Sequence, residues 1–87
     1  MTIKQFQEDN KDFCNRYNSV LDKYYRCGEY IESPERTDKE IEKYCDVMAG
    51  YTKELSIMMA EYKTITNEEL SNRIILGGFL LYETIKP

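Results

Sequence analysis

The sequence lacks histidine altogether, which removes the commonest general base in catalysis and the commonest side-chain ligand of zinc. Helical di-iron sites are excluded too, because they need a glutamate and a histidine on the same helix. No phosphate-binding loop is present either, since Gly77 and Gly78 lie inside an apolar run without the lysine that follows in such loops. We therefore expect a protein that is not an enzyme and that holds no metal ion or other cofactor.

Cysteine is scarce, and the three cysteines, Cys14, Cys27 and Cys45, form no Cys-x-x-Cys pair. An odd number without close spacing favours free thiols in a reducing cytoplasm over a disulfide framework or a zinc site. All three lie on or beside apolar positions of the helical pattern described below. That placement predicts buried, structural cysteine side chains.

Long apolar stretches are missing as well. The longest, residues 74–82, has nine residues, whereas a membrane-spanning helix needs roughly 20. The first ten residues carry charges where a signal peptide would have an apolar segment. These features predict a soluble, cytoplasmic protein that does not enter a membrane.

The composition is typical of an ordered helical protein: 41% of the residues are hydrophobic, 32% are charged and only two are proline. A chain of 87 residues makes a single domain, residues 1–87, close to the smallest size that folds without cross-links. Such a chain needs either very regular helix packing or self-association.

Apolar residues recur at alternating steps of three and four along most of the chain, which is the spacing of an amphipathic helix. The pattern predicts one helix over residues 2–31 and a second over residues 37–64. Pro34 lies between them and predicts a turn, because proline disfavours helix at the preceding residue. A short connection makes two helices antiparallel neighbours. Aligning the two patterns about residue 34 pairs Tyr24 with Tyr44, Tyr17 with Tyr51 and Phe6 with Tyr62.

The last segment, residues 67–85, is apolar almost all round in its second half, which predicts a third, shorter helix buried on several sides. A break at its glycine pair is left open, and a strand is disfavoured because the chain offers no partner strand. A threonine with glutamate or glutamine three residues later, the signature of a helix start, precedes each predicted helix at Thr2, Thr37 and Thr66. The expected fold is all-α, a three-helix bundle built on a long antiparallel helix hairpin.

The third helix is too short to cover the hairpin, because helices of about 28 residues extend about 42 Å and the third about 27 Å. We expect the uncovered part to contact a second copy, most simply in a dimer, or another protein. Asn10, the one polar residue on the first apolar stripe, either fixes the register or is simply solvated. The candidate packing or oligomer residues are Asn10, Gly77, Gly78 and Phe79.

Acidic residues are concentrated around the predicted turn. Residues 29–46 hold seven acidic and three basic side chains, and this difference equals the whole net charge of −4. Carboxylates beside exposed tyrosines suit docking on a basic protein surface, with tyrosine as anchor and the acids steering the encounter. The alternative is a solvated turn whose acids favour the helix dipole. The candidate protein-binding residues are Tyr25, Glu29, Tyr30, Glu32, Glu35, Asp38 and Glu42.

The leading hypothesis is therefore a small, acidic, non-enzymatic interaction protein that binds another protein through the hairpin tip as an inhibitor or adaptor. Its net negative charge disfavours direct contact with nucleic acid or anionic membranes, so the expected partner is a protein with a basic surface, such as a nucleic-acid-binding protein. The abundance of Lys, Ile, Asn and Tyr is typical of a low-GC bacterium, its phages or its mobile elements.

Two alternatives belong to other classes. Tyrosine makes up eight of the eleven aromatic residues, so a homo-oligomer could hold a small anion or nucleotide in a tyrosine-lined pocket between helices. An enzyme acting through Arg, Lys, Glu and Tyr alone is the least favoured, because the basic residues are dispersed. The candidate residues for the ligand pocket are Arg16, Tyr17, Lys23, Arg26 and Tyr51.

Overall fold

The computed structural model describes residues 2–79, and within them it contains four α-helices and no strand. The two long helices, α2 and α3, pack against each other as the predicted antiparallel hairpin. The all-α architecture built on this hairpin is therefore confirmed. The helices are α1 (Ile3–Asp9), α2 (Lys11–Glu32), α3 (Asp38–Thr66) and α4 (Asn72–Gly77).

Two of the predicted helix starts are confirmed. The hydroxyl of Thr2 accepts a hydrogen bond of 3.1 Å from the backbone N–H of Gln5 at the start of α1. At α3, Thr37 and Glu40 form a complete capping box, in which each side chain accepts a hydrogen bond from the other residue's backbone N–H. These bonds satisfy donors that would otherwise have no partner in the first turn of a helix.

The single helix predicted over residues 2–31 is wrong in one respect, because Asn10 divides it. The Asn10 side-chain amide donates to the carbonyl oxygen of Phe6 at 3.0 Å, and the Asn10 backbone N–H donates to the same oxygen at 2.9 Å. Its φ of −132° and ψ of 48° are not helical. A short amide side chain that bonds to nearby backbone competes with continuous helix, so Asn10 ends α1 and precedes α2.

The third helix predicted over residues 67–85 is also corrected. Helix α3 continues to Thr66, and Asn67 ends it in the left-handed conformation, with φ of 61°. The next helix, α4, begins only at Asn72, where the Ser71 hydroxyl caps it, and ends at Gly77, with Gly78 as its C-cap. The Thr66 start signal therefore lies at the end of one helix instead of the start of another. The rest of the prediction, from residue 80 onward, falls outside the described residues.

Two tyrosines and an asparagine of α2 hold the end of α4 against the hairpin. The Tyr17 hydroxyl donates to the carbonyl oxygen of Ile75 at 3.1 Å, and the Tyr25 hydroxyl donates to that of Leu76. The Asn18 side chain bonds to both backbone groups of Phe79, donating to its carbonyl at 2.8 Å and accepting from its N–H at 2.7 Å. The last carbonyls of a helix have no partner within it, so α2 supplies donors that α4 needs.

The hydrophobic core lies in the half of the hairpin away from the turn. Helix α3 contributes no buried residue before Leu55. Phe79 is central, because its ring contacts three aromatic rings of the core and that of the partly buried Phe13. The core consists of Phe6, Cys14, Tyr17, Val20, Leu21, Leu55, Met58, Tyr62, Leu70 and Phe79.

The predicted pairing between the helices is right at one end and shifted at the other. The rings of Phe6 and Tyr62 meet as predicted, with centroids 4.7 Å apart. Near the turn, Tyr44 packs against Tyr30 at 4.4 Å, not against Tyr24. Helix α2 ends at Glu32 and α3 begins at Asp38, so the turn is centred one residue later than the alignment assumed, which accounts for only part of the shift.

The predicted pairing of Tyr17 with Tyr51 has a different outcome for each residue. Tyr17 is fully buried, and its ring packs edge-on against Phe79 with centroids 5.4 Å apart. Tyr51 is half-buried at the edge of the core. Tyr17 thus packs against Phe79, which lies after α4. An alignment of the two hairpin helices alone could not predict this contact.

Candidate protein-interaction surface

The hairpin tip, residues 28–48, is a layer of two helices. Every α3 residue from 38 to 54 is half-buried or exposed. The apolar residues that join α2 to α3 here are half-buried, unlike their counterparts in the core. We call this group the tip seam, and its members are Ile31, Ile41, Tyr44, Val47 and Met48.

Tyr30 organises the turn of the hairpin. The guanidinium of Arg36 lies 3.5 Å from the centre of the Tyr30 ring, and its Nε donates to the Tyr30 carbonyl at 3.2 Å. The Tyr30 hydroxyl donates to the Glu40 carboxylate at 2.8 Å. Tyr30 therefore closes the connection between α2 and α3. Tyr30 was predicted as an exposed anchor for a partner, but it is half-buried, and both its ring and its hydroxyl have partners within the hairpin.

The hydrogen bond between Tyr30 and Glu40 affects the ionisation of both groups. It is the largest cause that raises the pKa of Tyr30, because it binds the hydroxyl proton. The same bond is the largest cause that lowers the pKa of Glu40, and the backbone and side-chain bonds from Thr37 act in the same direction. The carboxylate at the start of α3 is therefore held in its charged form.

We expect Tyr30→Phe to raise the pKa of Glu40 toward its ordinary value, because the largest cause of the lowering is removed while the Thr37 bonds remain. A lowered pKa in the folded state stabilises the fold above the ordinary pKa of a glutamate, and this contribution is lost as the pH falls through the lowered value. The variant should therefore lose stability relative to the wild type at neutral pH and less in acid. Carboxyl NMR titration would measure the pKa directly.

The control for this titration is Tyr25→Phe, which also removes one tyrosine hydroxyl but one that bonds to Leu76 at the end of α4. It should leave the pKa of Glu40 where it is in the wild type. An unchanged Glu40 pKa in Tyr30→Phe would contradict the bond at the turn.

Most of the carboxylates at the tip have no cationic partner. The ion pairs of the described chain lie elsewhere and join Arg16 to Glu54, Arg26 to Asp22 and Lys63 to Glu69. Among residues 2–79, Glu40 is the one tip carboxylate whose side chain accepts hydrogen bonds, from the Tyr30 hydroxyl and the Thr37 backbone. It was not among the predicted binding residues. The negative charge of the tip is therefore exposed and largely uncompensated. The exposed tip carboxylates are Glu29, Glu32, Glu35, Asp38, Glu42 and Asp46.

Tyr25, the other predicted anchor, belongs to a different part of the molecule. Its side chain is 43% exposed, but its hydroxyl is bonded to the carbonyl of Leu76. Its exposure agrees with the prediction, but its hydroxyl links α2 to the end of α4, so the tip as defined above does not include it. No local signal could have found this bond, because its two residues are far apart in the sequence.

The residues predicted for a ligand pocket are placed in separate environments. Arg16 pairs with Glu54 at 3.4 Å, and Arg26 pairs with Asp22 at 2.7 Å. Lys23 is exposed and Tyr51 is half-buried. The hydroxyl of Tyr17 is bonded within the core, so it has no free donor for a ligand.

The cysteines differ in environment. Cys14 and Cys27 are buried as predicted, whereas Cys45 is exposed, which corrects the expectation for that residue. Burial raises the pKa of the Cys14 thiol to about 11, so it stays protonated at neutral pH. Within residues 2–79, no group of three or more Cys, Asp or Glu side chains is placed to hold a metal ion. In that same range, no helix has the length and hydrophobicity to cross a membrane.

Comparison of the chain with protein-family models, curated proteins and solved structures finds no match.

Proposed function

We propose that this protein is a small, acidic, non-enzymatic interaction module that binds a basic surface of another protein through its hairpin tip. The observation that carries the proposal is the set of exposed carboxylates, without an ion-pair partner among residues 2–79, that lie next to the half-buried tip seam in sequence. Exposed charges of one sign attract a partner of the opposite sign and raise the rate of encounter, while apolar contact area supplies affinity. Inhibitors and adaptors both work by such contacts.

The test is a charge reversal confined to the tip. The tip variant carries Glu29→Lys, Glu32→Lys and Glu42→Lys, and the control variant carries Glu8→Lys, Glu61→Lys and Glu68→Lys at exposed positions away from the tip. Each set raises the net charge by six, from −4 to +2. Circular dichroism would establish that both variants fold. Tagged proteins would then be used to retain partners from extracts of the native host, with quantitative mass spectrometry of the bound proteins.

We expect the control variant to retain the same basic proteins as the wild type and the tip variant to lose them. Retention of those proteins by the folded tip variant would contradict the proposal. Loss from both variants would show that net charge alone is responsible, which would also contradict it. Repeating the retention at high salt should weaken binding, because exposed charges are screened.

A further inference from the structure

Among residues 2–79, the third layer of the bundle covers only the core half of the hairpin. There, α1, α4 and Phe79 lie against the hairpin, and Tyr17, Met58 and Cys14 are at most 1% exposed. At the tip, the tip seam is half-buried, although its residues have the same helical spacing as those of the core. The seam therefore has the side chains of a bundle interior but not the burial.

We infer that the partner presents an amphipathic helix with Lys or Arg along its edges, and that this helix packs on the tip seam as a third helix beside α2 and α3. The inference rests on the proposed function and specifies its partner. Helices α2 and α3 have no free strand edge, so the partner must bind through side chains and cannot add a β-strand. Ile41, Tyr44 and Met48 recur at steps of three and four, a row of side chains against which the ridges of another helix can pack.

The size of the seam limits the length of the bound helix. From Ile41 to Met48 the α3 part of the tip seam extends about 10 Å, at a rise of 1.5 Å per residue. A partner helix of at least two turns covers this distance. Both sides of the hairpin carry exposed acids next to the seam in sequence, with Glu32 on α2 and Glu42 on α3. Basic residues that border the apolar stripe of the partner helix would face these acids.

Charge also argues against a second copy of this chain as the occupant. Two tips brought together would place their unpaired carboxylates opposite one another, and like charges at an interface cost binding free energy. A partner that brings Lys or Arg turns the same groups into attractive contacts. The described tip also carries Arg36, Lys39 and Lys43, but its acids outnumber them, so its net negative charge favours a basic helix over a second copy.

A synthetic peptide tests the inference on the full chain. The probe has about 14 residues, with Leu at the positions of one helical face and Lys at the remaining positions. A matched peptide replaces two central residues with proline, which prevents helix formation at nearly the same charge and hydrophobicity. Fluorescence anisotropy measures affinity, and circular dichroism measures helicity on binding. Light scattering of the free protein, at concentrations above those of the binding assay, measures its mass.

We expect the helical peptide to bind the wild type, to become more helical and to bind more weakly as salt is added. The Glu29, Glu32 and Glu42 triple reversal should weaken binding tenfold or more, while the Glu8, Glu61 and Glu68 control should change it less than twofold. The proline peptide should bind at least tenfold more weakly than the helical one.

Three results would overturn the inference. Equal affinity for the two peptides, or no binding of either, would reject a helix as the partner. The proposed function would still be tested separately, by the retention of partners from host extracts. Equal losses in the two triple variants would place the peptide away from the tip. A dimer that the tip variant abolishes would make a second copy the occupant of the seam.

Discussion

Replacing Phe79 with alanine is expected to lower the free energy of unfolding by about 3 to 5 kcal/mol, the range found when a large buried aromatic is truncated. The Phe79 side chain is 4% exposed, so its ring is almost wholly removed from water. Truncation would lose this burial and leave a cavity where several core rings meet. The ring contacts of Phe79 are with Phe6, Phe13, Tyr17 and Tyr62, at centroid distances of 5.9, 6.1, 5.4 and 6.2 Å.

Urea denaturation followed by circular dichroism would measure the loss, with Leu76→Ala as the matched control. Leu76 lies three residues earlier and is 65% exposed, so its truncation should cost well under 1 kcal/mol. If Phe79→Ala does not fold, Phe79→Leu keeps most of the apolar volume and should cost about 1 kcal/mol. A loss from Phe79→Ala no larger than that from Leu76→Ala would show that Phe79 lies outside the core.

The hairpin was predictable because its determinants are local or periodic. Repeats at three and four residues mark the packed faces of α2 and α3, and Pro34 and the Thr37 capping box mark the turn between them. The pairing of Phe6 with Tyr62 followed from the same periodicity. Such signals depend on neighbours within one or two helical turns, which a single sequence contains in full.

The break at Asn10 and the extent of α4 were not predictable in this way. A polar residue on an apolar stripe can end a helix or fix the register of helix packing. The hydrogen bond from the Asn10 side chain to the Phe6 carbonyl shows that Asn10 ends α1. The apolar run from residue 74 predicted helix, yet α4 ends at Gly77, and the positive φ of Gly78 lets the Phe79 backbone bond to the side chain of Asn18. These bonds join residues that are distant in the sequence and leave no periodic signal.

The charge of the candidate surface was easier to predict than its aromatic residues. Glu29, Glu32 and Glu42 are exposed, as acidic residues beside a turn usually are. Tyr25 and Tyr30 were predicted as exposed anchors because they lie beside the acidic turn. Their hydroxyls instead bond to partners in α4 and α3, since a tyrosine that is partly covered by protein tends to find a partner for its hydroxyl.

Replacing Gly78 with alanine should also be strongly destabilising, by about 3 kcal/mol, for two reasons that act together. Gly78 has φ of 83° and ψ of 172°, a region that is essentially restricted to glycine and that costs another residue about 1 to 3 kcal/mol. A Cβ at this position would also lie 2.5 Å from the Asn18 side-chain oxygen. Asn18 cannot move away without weakening its two bonds to Phe79, each worth about 1 kcal/mol.

The neighbouring glycine supplies the matched control. A Cβ at Gly77 would meet nothing within 4 Å, and Gly77 lies within α4, where alanine is favoured over glycine by up to about 1 kcal/mol. Gly77→Ala should therefore leave the free energy of unfolding unchanged or slightly higher, while Gly78→Ala lowers it. The side-chain amide NMR signal of Asn18 should shift in Gly78→Ala alone. Equal stability of the two variants would contradict the close approach of Asn18 to the end of α4, and with it the account of how this short helix is held.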